Sequence, residues 1–192
     1  MKRVLAIIIL TAATPAAAQD QGWIFRFDQA EITPADPIVW VELWAFFPAT
    51  DYAFAGARLD LHASEEGWGE GSSPLMGIVD PPPTIAGPSV LDIVTGQLNF
   101  PPAGLYADPS NPIKAWRQKF EVTDFTPRDL SFHTETRVGA IFPERESRAY
   151  EERPWADASA VIRVVPAPGA VTLGLTWALL ASPRRRRQGG SP

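Results

Sequence analysis

The sequence predicts an all-β body folded as a single β-sandwich. Three observations carry this: apolar and polar residues alternate with a period of two, proline and glycine clusters separate the alternating runs, and 192 residues suit one domain better than two. Successive side chains on a strand point to opposite faces, so period-two alternation marks a strand with one face buried.

The runs follow in order. Trp23, Phe25 and Phe27 alternate with Ile24, Arg26 and Asp28. Ile38 to Phe46 puts Val39, Val41, Leu43 and Ala45 on one face and Trp40, Glu42, Trp44 and Phe46 on the other. Because both faces are largely apolar, a central position in a sheet is expected for this strand. Ala57, Leu59, Leu61 and Ala63 alternate with Arg58, Asp60 and His62. Trp116, Gln118, Phe120 and Val122 share one face of a later strand, and Leu130 to Val138 repeats the pattern. Ser159 to Val165 closes the body. Between the runs, Asp80-Pro81-Pro82-Pro83, Pro101-Pro102 and Asp108-Pro109-Ser110-Asn111-Pro112 cannot continue a ladder, because proline has no backbone N–H to donate. Greek-key or jelly-roll connections follow from many short strands separated in this way. Two short helical pieces are expected, over Leu75 to Ile78 and Glu144 to Glu151.

Both ends read as targeting segments. Lys2 and Arg3, an apolar run from Val4 to Ala13, and the small residues Ala16-Ala17-Ala18 have the order of a secretory signal peptide spanning 1–18. At the other end, Val164 to Pro183 holds no charge, and Arg184, Arg185, Arg186 and Arg187 follow directly. That is about the length of helix needed to cross the hydrocarbon layer, although Pro166 and Pro168 shorten its uninterrupted part. An arginine cluster stays on the cytoplasmic side, which would place the body, residues 19–165, outside. The tail then occupies 166–192.

Six of the 17 basic residues lie in these ends, while all 22 acidic ones lie between them. The body is therefore far more acidic than the whole-chain charge of −5 suggests. Such a surface repels nucleic acid and anionic lipid, so no nucleic-acid partner is expected. The chain has no cysteine, which excludes thiol nucleophiles, thiolate zinc sites and iron–sulfur clusters.

No Walker sequence, no G-x-G-x-x-G, no G-x-S-x-G and no EF-hand run occurs, and no catalytic residue, cofactor or metal ligand is assigned. His62 and His133 both fall on expected strands among polar neighbours; a metal site using both would need a proximity in the fold that spacing alone does not establish. Glu65, Glu66 and Glu70 surround Gly67-Trp68-Gly69, where Trp68 could stack on a sugar ring or fold back over the core edge. Trp40 and Trp44 share a face that could serve as a polysaccharide platform if exposed, or as a core wall if buried.

The tail sequence Val165-Pro166-Ala167-Pro168-Gly169-Ala170, followed by the apolar span and four arginines, resembles the PEP-CTERM sorting domain of exosortase-processed bacterial surface proteins, in a VPAPGA-type variant. The resemblance implies a membrane-held precursor, an exosortase-like processing enzyme as partner, and delivery to the cell surface or extracellular matrix. Pro166, Ala167, Pro168 and Gly169 would form the sorting motif and Arg184 to Arg187 the membrane stop; alanine stands at position 167 where that family usually has glutamate. The body is similar to cohesin-like β-sandwiches in Val39-Trp40-Val41-Glu42-Leu43, in Phe54 to Asp60, in Phe125-Thr126-Pro127-Arg128 and in Thr134-Glu135-Thr136. Three readings follow: a structural or adhesive surface protein, a carbohydrate-binding module using Trp68 or the Trp40/Trp44 face with exopolysaccharide as ligand, and, least supported, a hydrolase.

Overall fold

The computed structural model describes residues 20–75 and 82–166. The expected signal segment, the motif beyond Pro166, the apolar span and Arg184 to Arg187 lie outside these residues, as does the expected helix over Leu75 to Ile78 except for Leu75. Among the described residues, no helix is long and apolar enough to cross a membrane.

The body is all-β. Its strands are β1 (Gly22–Phe27), β2 (Glu31–Ile32), β3 (Ile38–Phe46), β4 (Ala53–Ala63), β5 (Trp68–Ser72), β6 (Thr84–Ala86), β7 (Ser89–Gly96), β8 (Ile113–Glu121), β9 (Arg128–Phe142), β10 (Glu151–Arg153) and β11 (Ser159–Val164). They form a four-stranded sheet ordered β1-β3-β8-β5 and a seven-stranded sheet ordered β2-β11-β9-β4-β7-β6, with β10 beside β9. All pairings are antiparallel except β2 with β11.

One hydrophobic core fills the space between the sheets. Val39, Val41, Leu43 and Ala45 of β3 face it and are fully buried, as are Leu59 and Leu61 of β4, Phe120 of β8 and Phe132 of β9. Edge-to-face aromatic contacts join the layers: Trp23 of β1 meets Phe54 of β4 at 5.9 Å, and Phe120 meets Phe132 at 5.2 Å. Such pairs add about 0.5–1.5 kcal/mol each to the burial of their area.

The helix expected over Glu144 to Glu151 is replaced by a turn and the start of β10. The reason lies in Asn99, only 4% exposed, whose Nδ2 donates to the carbonyls of Arg145 and Ser147 at 2.9 and 2.7 Å. Those bonds hold the segment against a neighbouring loop and occupy carbonyls that a helix would bond internally. Pro101-Pro102, read as a break, opens a single 3-10 turn over Pro101–Ala103, closed by Gly104 in the left-handed region at φ 70°.

The register gives the body two distinct ends. β9 pairs with Ala53 at its Phe142 end and with Val164 at its Arg128 end. The loop from Gln97 to Pro112 and the turn after Phe142 therefore lie at one end, and the chain leaves at Pro166 from the other.

Candidate binding surface

The aromatic residues singled out in the sequence take two different positions. Trp68 is only 8% exposed. Its ring stands edge-on to Phe120 at 4.9 Å and to Phe132 at 5.5 Å, and its Nε1 donates to the Pro88 carbonyl at 2.8 Å. Gly67 makes this possible, since a Cβ there would lie 2.6 Å from the Glu121 carbonyl. Of the surrounding acids, Glu65 is bound by both arms of Arg128, at 2.9 and 2.6 Å, while Glu66 and Glu70 remain exposed. Trp68 thus closes the core edge, and its loop is fastened to the start of β9.

Trp40 and Trp44 project from β3 on the side opposite its aliphatic row, so they lie half-buried on the outer face of the four-stranded sheet. Neighbouring strands supply cations at matching register. Arg26 of β1 and Arg117 of β8 are both cross-strand partners of Glu42. Neither arginine pairs with it: the Arg117 guanidinium lies 3.7 Å from the Trp40 ring centre and that of Arg26 lies 4.0 Å from the Trp44 ring centre. Glu42 instead takes Lys114 at 2.5 Å and the Trp44 Nε1–H at 3.0 Å. On the same face Lys119 pairs with Glu121 at 3.1 Å.

After this pairing, Arg26 and Arg117 carry positive charge with no carboxylate partner among the described residues. Arg117 Nε is buried without a hydrogen bond. A cation held over an indole contributes about 0.5–1 kcal/mol at an exposed site and more when desolvated. The face is therefore a shallow aromatic surface carrying two unneutralised guanidiniums on an otherwise acidic body. Arg145 over Tyr106, at 4.2 Å, and Arg148 over Phe100, at 5.1 Å, repeat the motif at the end opposite Pro166.

No family model, curated protein or solved structure matches this chain.

The histidines, which spacing could not relate, prove to be direct cross-strand neighbours on β4 and β9, on the outer face of the other sheet. His62 Nδ1 lies 2.8 Å from Ser89 Oγ, and its Nε2 lies 3.6 Å from Glu135. The order hydroxyl, imidazole, carboxylate is that of a hydrolytic triad, but catalysis also needs donors aimed at a developing oxyanion. The neighbouring Asp92 amide is committed to Asp60, at 2.8 Å. A groove of about 260 Å³ on the same sheet is lined by Ala55, Gly56, Gly96, Ala140 and Tyr150 among others. The Gln97 amide at its rim is already bonded to the backbone of Phe54 and Asp108.

The register of β1, β3 and β8 was the missing information at the candidate surface. Alternation identified Trp40 and Trp44 as sharing a face, but nothing in the spacing of Arg26 and Arg117 placed them over those rings.

Proposed function

We propose that the chain is an exported β-sandwich of Greek-key or jelly-roll type with an adhesive role at the cell surface or in the extracellular matrix. In this reading a signal peptide directs export, and the PEP-CTERM-like tail holds the precursor in the membrane until an exosortase-like enzyme processes it. The contact surface is the outer face of the four-stranded sheet, and its ligand is an acidic exopolysaccharide. The observation that carries this is the pair of unneutralised guanidiniums of Arg26 and Arg117, each held over a tryptophan. Guanidinium matches a carboxylate with two parallel donors, and a tryptophan edge beside it suits the apolar face of a sugar ring.

The half-exposed indoles also favour a second reading, a carbohydrate-binding module that takes neutral glycans through Trp40 and Trp44. Affinity electrophoresis separates the two. In gels containing a polyuronate, the body should be retarded in a salt-dependent way, and the Arg26→Ala/Arg117→Ala variant should lose most of that retardation. Equal retardation of variant and parent would sink the proposed surface. Retardation by a neutral glucan that vanishes in Trp40→Ala/Trp44→Ala would establish the second reading instead.

A further inference from the structure

We propose that Asp60, His62, His133 and Glu135 form a binding site for one divalent transition-metal ion of the zinc class. Asp60 and His62 are alternate residues of β4, and His133 and Glu135 are alternate residues of β9, so each pair shares the outer face of its strand. In the ladder Asp60 lies opposite Glu135 and His62 opposite His133. Two imidazoles and two carboxylates thus occupy the corners of one cross-strand square, a nitrogen and oxygen donor set suited to zinc.

The distances agree for Asp60, His62 and Glu135, while His133 must turn to join them. The donor atoms of Asp60, His62 and Glu135 lie within 4.8 Å of one another, and His62 Nε2 is 3.6 Å from Glu135 Oε2. Two ligands on a tetrahedral zinc ion with bonds near 2.0–2.1 Å stand roughly 3.4 Å apart, so this pair needs little movement. The His133 ring lies against the His62 ring, with centroids 4.6 Å apart. His133 is exposed and can turn about its side-chain bonds to present a nitrogen as a fourth ligand.

Three further features favour a cation. First, His62 Nε2 is buried and has no hydrogen-bond partner, although it faces two acids. In the tautomer whose Nδ1–H donates to Ser89 Oγ, the lone pair on Nε2 is directed towards those carboxylates, and a metal ion would satisfy it. The Ser89 bond is also the kind of outer contact that orients a metal-binding imidazole. Second, Asp60 is held in place: its Oδ1 accepts from the Asp92 amide at 2.8 Å and its Oδ2 from Arg137 at 2.6 Å. Each oxygen keeps a lone pair for a metal. Third, the charges leave an acid over. Arg58 and Arg137 pair with Asp92 and Asp60, whereas Glu135, which Arg137 feels only at longer range, makes no ion pair except with His62 among the described residues.

The test uses the purified body, freed of metal with a chelator and titrated calorimetrically with Zn²⁺ and separately with Ca²⁺. The expected result is one Zn²⁺ per chain, a Zn²⁺-dependent rise in Tm, and intense visible absorption when Co²⁺ replaces Zn²⁺. Binding should weaken at least tenfold in His62→Ala and in Glu135→Gln; Glu135 is exposed, so its variant keeps the test valid if loss of His62 impairs folding. Absence of Zn²⁺ uptake, Zn²⁺ uptake unchanged in Glu135→Gln, or Ca²⁺ bound as tightly as Zn²⁺ would each overturn the proposal.

Discussion

Asp60 shows how one residue can link stability to pH. Burial pushes its carboxyl up, but the Asp92 amide, the Arg137 guanidinium and nearby His62 outweigh that effect and hold it below the usual carboxylate range. A carboxyl whose folded value is depressed stabilises the fold above its unfolded value, about 3.9, and that contribution is lost as pH falls through the lower folded value. Asp60→Asn should therefore destabilise the body at pH 7 by about 1–3 kcal/mol, the cost of leaving buried groups imperfectly paired. In denaturant titrations the gap between variant and parent should narrow once the pH drops below about 3.9. A gap that stays constant through that range would show that the ionised form of Asp60 is not what matters. The identity of Asp60 was plain in the sequence, but its role was not, because Arg137 is 77 positions away and reaches it only through the β4–β9 register.

At the scale of the strand, β5 is an edge element fastened by Trp68. Trp68→Ala would remove a ring in contact with Phe120 and Phe132 and leave Pro88 without its indole donor. A loss of about 3–5 kcal/mol is expected from the cavity alone, read as a lower denaturant midpoint. Polysaccharide retardation should be unchanged once the variant is folded, since the ring lies in the core; selective loss of retardation with full stability would return Trp68 to the list of ligand contacts. Alternation made strands easy to read where one face is aliphatic, as at Val39, Val41, Leu43 and Ala45. It was weaker where the ladder shifts register. Beside the β3–β8 irregularity at Leu43 and Trp44, Ala115 and Trp116 are both buried although they are adjacent in sequence. Residues 144–151 read as helical because Glu, Arg and Ala favour helix locally, and the tertiary bonds from Asn99 override that preference. Two-residue β2 offered no periodicity at all, and only its pairing with β11 defines it.

For the whole molecule, the decisive experiment concerns the tail. Replacing Arg184 to Arg187 with neutral residues should reduce membrane retention of the precursor, because each arginine costs at least about 2.5 kcal/mol at the bilayer centre. Fractionation that finds equal membrane-bound precursor in parent and variant would remove the arginines as the anchor. The pairing of β11 also has a mechanical consequence for a protein held by that tail. Pull on Pro166 enters the body along β11, which lies between β9 and β2, with the Val165 amide bonded to the Ile32 carbonyl at 2.9 Å. Its ladder bonds run across the strand, hence across the force, so they are sheared together rather than opened in turn. Under the proposed anchoring, a pull on the tail would load the β11 ladders with β9 and β2 together.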